Sequence, residues 1–174
     1  MRRSIASYGI IKHSFGDTDK YLLQYNTGWK AYNFISGHVE AEDQGDFEKT
    51  IIRELEEELP PIRYNKDFTV SPISDEPFQD RAYSLKARAE TEYTFYLFFV
   101  KFLLPFDQLS FLWENRGGLN KWFSPNELKS GELKADGLKS GKETDIDRAV
   151  ISPFPIPQIM DWIPGGLNSL PESF

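Results

Sequence analysis

The segment from Thr91 to Leu104 constrains the fold more than any other part of this sequence. Its letters, TEYTFYLFFVKFLL, place apolar residues on both alternating faces of an extended chain. Such a pattern is typical of a central strand in a sheet that is covered on both sides. The segment therefore predicts an α/β protein in which helices pack on both faces of the sheet.

Turn residues divide the rest of the chain into shorter predicted elements. A hairpin is expected from Ser4 to Gln24, with its turn at Phe15 to Asp19, and a strand from Trp29 to Ile35 leads into Ser36-Gly37. A loop with a short strand is expected over Pro72 to Ala89, and a loop over Pro105 to Gly118. A strand is expected at Lys121 to Phe123, followed by a helix from Ser124-Pro125. A last helix is expected to start at Thr144 to Val150, and the Pro/Gly-rich tail from about residue 152 is expected to be extended and peripheral.

Length and composition restrict the possible classes of function. The 174 residues fit one domain over 1–174, and 15% are aromatic, which provides enough apolar surface for a packed core. No apolar run suits a membrane span and no secretory signal is visible, so we expect a cytoplasmic protein without a membrane partner. The absence of cysteine excludes thiolate catalysis and cysteine-bound zinc. The net charge of -7 disfavours duplex nucleic acid as a partner.

One predicted helix carries the most informative chemical pattern. Asp46 is a suitable N-cap, and Pro60-Pro61 ends the helix. Between them, apolar residues recur at every fourth position: Phe47, Ile51, Leu55 and Leu59. This stripe predicts that one face of the helix packs against the core.

Three carboxylates share another face of the same helix. Glu54, Glu57 and Glu58 are spaced i, i+3 and i+4, which corresponds to axial separations of about 4.5 and 6 Å. Their mutual repulsion would raise their pKa values unless a cation neutralised them, and hard oxygen ligands suit Mg²⁺ or Mn²⁺. An acidic run is also common on a solvated helix face, so the pattern alone leaves both interpretations open.

Residues 37–60 resemble the signature of the Nudix hydrolases, G-x5-E-x7-R-E-U-x-E-E-x-G-U, in which U is aliphatic. Gly37 begins this box, and Arg53-Glu54-Leu55-Glu56-Glu57-Glu58 reproduces its second half. Three features depart from the signature: Asp43 replaces a Glu, nine residues instead of seven precede Arg53, and Pro60 replaces a Gly. The longer spacer is expected to fit in the loop before the helix, and Asp43 would be a shorter and weaker ligand.

The resemblance covers most of the chain and has definite implications. Phe34 to Glu40, Tyr93 to Phe102 and Trp122-Phe123 with Glu127-Leu128 are also similar to the family pattern. The resemblance implies an α/β/α sandwich with a mixed central sheet. It also implies hydrolysis of a nucleoside diphosphate linked to another group, with Mg²⁺ or Mn²⁺ as cofactor.

The residue roles that the resemblance implies follow position by position. Glu54, Glu57 and Glu58 would bind the metal together with the carbonyl of Gly37. Arg53 would orient one of these carboxylates and, with Glu54 and Glu57, belong to the catalytic set. Outside the box, Glu114 is the candidate general base, with Glu127 and Glu143 as alternatives.

Candidate substrate contacts come from residue chemistry alone. Basic side chains could pair with phosphates, and aromatic side chains could stack on a base. The basic candidates are Lys30, Arg81, Lys86 and Arg88, and the aromatic candidates are Trp29, Tyr83 and Trp113.

Two hypotheses of function remain. An active pyrophosphohydrolase would cleave the diphosphate linkage of a sugar nucleotide, ADP-ribose or a dinucleotide, or would act on a noncanonical nucleoside triphosphate. A catalytically inactive module of the same fold would sense a nucleotide or contact a protein. The intact Arg53 to Glu58 favours the enzyme, whereas Asp43 and the longer spacer favour the module. An isoprenoid diphosphate isomerase is disfavoured because no cysteine is present, and the oligomeric state, including a homodimer, stays open.

Overall fold

The chain forms two compact units, each built around a mixed β-sheet. The computed structural model describes residues 2–28, 30–84, 87–114, 119–130 and 150–174, with only the backbone of Glu114, Ser130 and Val150. One unit comprises Met1–Ile10 and Ile35–Leu103, and the other comprises Ile11–Phe34 and Leu104–Phe174. The predicted α/β class with a mixed sheet is confirmed. The assignment of 1–174 to a single domain stays a prediction.

The sheet of the first unit has the predicted long strand at its centre. Its strands are β1 (Arg2–Ile10), β5 (Ile35–His38), β6 (Phe68–Pro72), β7 (Phe78–Ser84) and β8 (Ala89–Phe102). Strand β8 pairs in parallel with β1 and antiparallel with β6 and β7, and β1 pairs antiparallel with β5. The side chains of Phe95, Leu97 and Val100 on β8 are buried.

Strand β7 lies within Pro72 to Ala89, where a loop and a short strand were predicted. Its sequence, FQDRAYS, alternates half-buried and exposed residues and includes charged side chains. Pairing of Phe78 through Ser84 with β8 stabilises this polar strand. Its partner is the next strand in the chain, because Ser84 pairs with Ala89, so β7 and β8 form a sequence-local antiparallel pair.

Helix α1 (Phe47–Glu58) matches its prediction closely. The Asp46 carboxylate accepts hydrogen bonds from the backbone N–H groups of Glu48 and Lys49 at 3.0 and 3.1 Å. The apolar stripe packs on the sheet, with Ile51, Leu55 and Leu59 fully buried. At its first turn the ring of Phe47 stacks on Tyr96 of β8, with 3.6 Å between ring centroids.

The second unit contains the hairpin and the C-terminal helices. Its strands are β2 (Lys12–Phe15), β3 (Thr18–Asn26), β4 (Ala31–Asn33), β9 (Asn120–Phe123) and β10 (Val150–Ile151), and its helices are α2 (Phe111–Glu114), α3 (Pro125–Ser130) and α4 (Ile156–Trp162). Strand β3 pairs antiparallel with β2, β4 and β9, and β10 pairs in parallel with β4. None of the described helices combines the length and the apolar character needed to cross a bilayer.

Several local predictions for this part of the chain need correction. The hairpin consists of β2 and β3 only, because residues 2–10 pair with β8 and β5 instead. The predicted loop over 105–118 includes the short helix α2. Helix α3 begins after Ser124 as predicted, and most of the helix expected at Thr144 to Val150 lies outside the described residues.

The C-terminal segment is neither extended throughout nor peripheral. Helix α4 buries Ile156 and Ile159, and Ser173 is fully buried. The backbone N–H of Ser173 donates to the carbonyl of Lys12 at 3.0 Å, and its hydroxyl accepts from the N–H of Lys12 at 2.9 Å. The proline at the start of α4 is tolerated because the first turn of a helix needs no donor there.

Candidate functional site

Arg53 connects helix α1 to the loop that precedes it. Its Nε lies 3.2 Å from Oδ1 of Asp43, and its Nη2 lies 3.1 Å from Oδ2 of the same carboxylate. Nη2 also donates to the carbonyl of His38 at 3.2 Å. These charge-assisted contacts fix the guanidinium between β5 and the helix.

Asp43 is a partner of Arg53, which corrects its expected role as a weaker metal ligand. Its side chain is only 3% exposed. Besides Arg53, its Oδ2 accepts from the hydroxyl of Thr50 at 2.9 Å and from the backbone N–H of Glu40 at 2.8 Å. The hydrogen bonds from Arg53, above all, lower the pKa of Asp43 from 3.8 to about 2. The carboxylate is therefore charged and fully engaged inside the protein.

The longer spacer fits in the loop before α1, as predicted. A short 3-10 turn covers Ala41–Asp43, and the next two residues, Gln44 and Gly45, have positive φ angles of 53° and 77°. The chain then enters the helix at Asp46. The extra residues thus leave the contact between Asp43 and Arg53 intact.

Glu54 is a largely buried member of the three candidate metal-binding carboxylates. Its side chain is 14% exposed, and its Oε1 accepts from Nη1 of Arg53 at 2.8 Å. Burial raises the pKa of Glu54, Arg53 acts in the opposite direction, and the negative charges of Glu57 and Glu58 raise it further. The net result is a raised pKa of Glu54. A cation bound nearby would act in the opposite direction, because it favours the charged carboxylate.

Gly37 leaves the space that Glu54 occupies. Strand β5 pairs Gly37 with Ser7 of β1, whose hydroxyl donates to the carbonyl of Phe47 at 2.8 Å, so this face of the sheet bears α1. A Cβ added at Gly37 would overlap the carboxylate and Cγ of Glu54. Glycine is therefore required for Glu54 to lie directly against the backbone of β5.

Glu57 and Glu58 complete the acidic face. The side chain of Glu57 is 58% exposed, and its Oε1 lies 3.6 Å from Nη1 of Arg53. Both residues influence the pKa of Glu54, so the three charges lie within electrostatic range of one another. Their hard oxygen atoms fit Mg²⁺ or Mn²⁺ in chemistry. Within the part of the chain that the structure describes, no three acidic or histidine side chains are already gathered as a ligand set.

None of the candidate general bases belongs to helix α1. Glu114 is the last residue of α2, in the second unit, and its side chain is not among the described atoms, so its role stays a prediction. Glu127 accepts hydrogen bonds from the backbone and the hydroxyl of Ser124 at 2.7 and 2.8 Å, which identifies it as a helix-capping residue. Glu143 lies outside the described residues.

The candidate substrate contacts are mostly surface groups. Arg81 lies on β7, and its Nη2 is 3.4 Å from a carboxylate oxygen of Glu92 on β8. Arg88 and Lys30 are exposed turn residues with positive φ angles. Tyr83 is exposed, whereas Trp113 is buried against Phe106 and Trp122. Lys86 and Trp29 lie outside the described residues.

The sequence prediction missed the way in which Asp43, Thr50 and Arg53 hold one another. Helical spacing carries a partial signal, because Thr50 and Arg53 are three residues apart and share a face of α1. The contribution of Asp43 depends on the path of the loop and has no local signature.

Comparison with known proteins identifies the fold. No protein-family model and no curated protein sequence matches the chain. A NUDIX hydrolase from Nitrosomonas europaea matches in structure with a TM-score of 0.52 and 17% identity, over 98% of this chain and 97% of that one. NrtR from Shewanella oneidensis matches with a TM-score of 0.50 and 15% identity, over 75% of this chain and 56% of NrtR. The Ap4A hydrolase of C. elegans gives 0.48 and 20% identity, over 75% and 83% of the two chains. The chain thus has the fold of the Nudix hydrolases.

Proposed function

We propose that this protein is a metal-dependent pyrophosphohydrolase. Its substrate would be a nucleoside diphosphate derivative, such as a sugar nucleotide, ADP-ribose or a dinucleotide, or a noncanonical nucleoside triphosphate. The observation that carries the proposal is the position of Glu54, held by Arg53 against the backbone at Gly37 and accompanied by two more carboxylates. The Nudix fold of the chain supports the same conclusion.

The acidic face of α1 would hold the cation. Glu54, Glu57 and Glu58 would contribute carboxylate oxygens, and Gly37 would contribute its carbonyl. When bound, Mg²⁺ or Mn²⁺ supplies charge neutralisation at the diphosphate oxygens and lowers the pKa of a coordinated water. Arg53 donates a hydrogen bond to Oε1 of Glu54 and thereby positions this carboxylate.

The reaction would be a substitution at phosphorus. The oxygen of a water molecule attacks one phosphorus of the diphosphate, the bridging P–O bond breaks, and a phosphomonoester leaves. Glu114 is proposed to accept the proton of the attacking water. Lys30, Arg81 and Arg88 are proposed as cations that contact the phosphates.

A module that binds a nucleotide without turnover is the second candidate. The observation that favours it is that no three acidic or histidine side chains of the described residues are already gathered as a ligand set. In this alternative Glu54 would stay hydrogen-bonded to Arg53, and the acidic face would bind divalent ions weakly.

Turnover of a substrate panel tests the proposal. The panel contains nucleoside triphosphates, dinucleotide polyphosphates, ADP-ribose and sugar nucleotides, each with Mg²⁺ or Mn²⁺, and phosphate release is measured with and without added phosphatase. We expect turnover of at least one compound. The phosphate is either a direct product or is detected only after the added phosphatase cleaves the phosphomonoester product. EDTA should abolish the release in either case. If no compound of the panel is hydrolysed, the binding module is favoured. Turnover that persists in EDTA would contradict the metal-dependent mechanism.

A further inference from the structure

Strand β7 forms an outer edge of the sheet in the first unit. Among the described residues it pairs with β8 only. Its sequence, FQDRAYS, contains neither proline nor glycine, the residues that most often interrupt an edge strand. An uninterrupted edge of this kind can pair with a strand of another chain through its backbone groups.

The hydrogen bonds of β8 show which residues of β7 face outward. The carbonyl of Leu97 accepts from the N–H of Ile73 at 2.9 Å, on the edge of β8 opposite to β1 and therefore the edge that pairs with β7. Backbone groups alternate between the two edges of a strand, so Thr91 turns its groups toward its direct partner, Ala82. The two residues that flank Ala82 therefore turn their N–H and C=O groups away from β8.

Those two residues are Arg81 and Tyr83. The outward N–H of Arg81 donates to Oδ1 of the adjacent Asp80 at 2.7 Å, which is a local substitute for a strand partner. The side chains of Arg81 and Tyr83 lie on the same face of the sheet, because they are two residues apart. The Arg81 side chain is 69% exposed and Tyr83 is 55% exposed. Both the backbone and the side chains of this pair are thus accessible to a partner.

The sequence around Ala82 is self-complementary. Two identical strands that pair antiparallel are related by a two-fold axis perpendicular to the sheet, so directly opposed residues share a face. An axis at Ala82 places Arg81 opposite Tyr83 of the partner subunit. The same axis places Asp80 opposite Ser84 of the partner subunit. An axis at Arg81 or at Asp80 would oppose like charges, which destabilises a pair, and an axis at Tyr83 would pair fewer residues of β7.

We propose that this protein forms a homodimer in which the β7 edges of two copies pair antiparallel about Ala82. Arg81 exchanges both backbone hydrogen bonds with Tyr83 of the partner subunit, and its guanidinium lies over that tyrosine ring. The Asp80 carboxylate, released from the N–H of Arg81, accepts from the hydroxyl of Ser84 of the partner subunit. Edge pairing alone buries little apolar surface, so the dimer is weak. The inference holds whether or not the acidic face of α1 hydrolyses a substrate.

Sedimentation velocity and ¹H–¹⁵N NMR test this pairing on the full chain. Both are recorded from micromolar to millimolar protein concentration. We expect a monomer–dimer equilibrium that depends on concentration. The backbone amide signals of Arg81 and Tyr83 should shift on dilution, whereas that of Ser36 on β5, at the opposite end of the sheet, should stay fixed.

Two replacements of opposite charge at Tyr83 test the register. Tyr83→Lys places an ammonium group opposite the partner's Arg81 and should weaken the dimer about tenfold or more. Tyr83→Glu places a carboxylate there and should leave the dimer close to that of the wild type. Leu103→Lys, at a position that is 50% exposed and outside β7, is the control and should also behave like the wild type. Arg81 itself stays unchanged, because it is also a proposed phosphate contact.

The inference is overturned if the chain stays monomeric at millimolar concentration, or if it dimerises while the amide signals of Arg81 and Tyr83 stay fixed. It is also overturned if Tyr83→Lys dimerises like the wild type, or if Tyr83→Lys and Tyr83→Glu weaken the dimer equally. Thermal unfolding of each dilute variant checks that the monomer is folded. The wild-type NMR result decides the question even if a variant fails to fold.

Discussion

At the scale of single residues, the candidate site depends on one close approach. Glu54 lies against β5 only because Gly37 has no side chain, and Arg53 holds its carboxylate from the other side. The box pattern of the sequence predicted the identity of these residues. It did not predict how little space separates them, because that distance depends on how the helix packs on the sheet.

Gly37→Ala tests this close approach. The added methyl group would displace the carboxylate of Glu54, and a shift of about 1 Å at a catalytic group can lower the rate about 100-fold. We therefore expect kcat/KM for the substrate identified in the panel to fall about 100-fold, while thermal unfolding shows that the protein stays folded. Gly28→Ala is the matched control, because a Cβ there would meet only the end of the Asn26 side chain, at 3.3 Å. Full activity in Gly37→Ala would show that Glu54 does not need this position.

At the scale of elements, a buried ion pair ties the loop before α1 to the helix. Asp43 contacts Arg53 and Thr50, both on α1, and the N–H of Glu40 in the loop. Helix α1 itself was readily predicted, because its cap, its apolar stripe and its terminating prolines are local signals. The loop was not, because its path depends on contacts between residues that are ten positions apart in the sequence.

Asp43→Asn should reveal this ion pair through its pH dependence. The pKa of Asp43 is lowered from 3.8 to about 2, so its contribution to stability is present above about pH 4 and is lost as the pH falls toward 2. At pH 7 we expect the variant to lower the free energy of unfolding by about 2 kcal/mol, a typical value for a hydrogen bond to a charged group. Urea unfolding from pH 7 to pH 2 measures the difference, which should shrink as the pH falls through this range.

The exposed Asp75 provides the control for this experiment. Asp75→Asn should leave the urea midpoint close to that of the wild type at every pH. If Asp43→Asn behaved like Asp75→Asn at pH 7, the ion pair would contribute nothing to the stability of the fold.

At the scale of the whole molecule, the features that the sequence did not predict are those that depend on contacts between residues far apart in the chain. The central strand was predicted, but its partner β1 was assigned to a hairpin, because the pairing of Arg2–Ile10 with β8 spans most of the first unit. The C-terminal segment was misjudged for a similar reason, since its burial depends on contacts with Lys12. The fold is shared with a Nudix hydrolase at 17% identity, so few residues specify it uniquely. The groups that select a substrate depend on loops and surface positions that vary within a fold.

The central claim is that the acidic face of α1 carries metal-dependent hydrolysis. The most direct test compares Glu58→Gln with Glu56→Gln, measured by metal-dependent turnover of the substrate found in the panel. Both changes remove one negative charge from the same helix, but Glu56 has another role: its Oε1 accepts from the N–H of Tyr64 at 2.8 Å, a contact that Gln can keep.

We predict that Glu58→Gln lowers turnover about 100-fold or more, since loss of a metal ligand removes several kcal/mol of transition-state stabilisation. Glu56→Gln should stay near the wild-type rate, and both variants should unfold at the wild-type temperature. Full turnover in Glu58→Gln, or equal losses in the two variants, would contradict the assignment of the metal site to this face of α1.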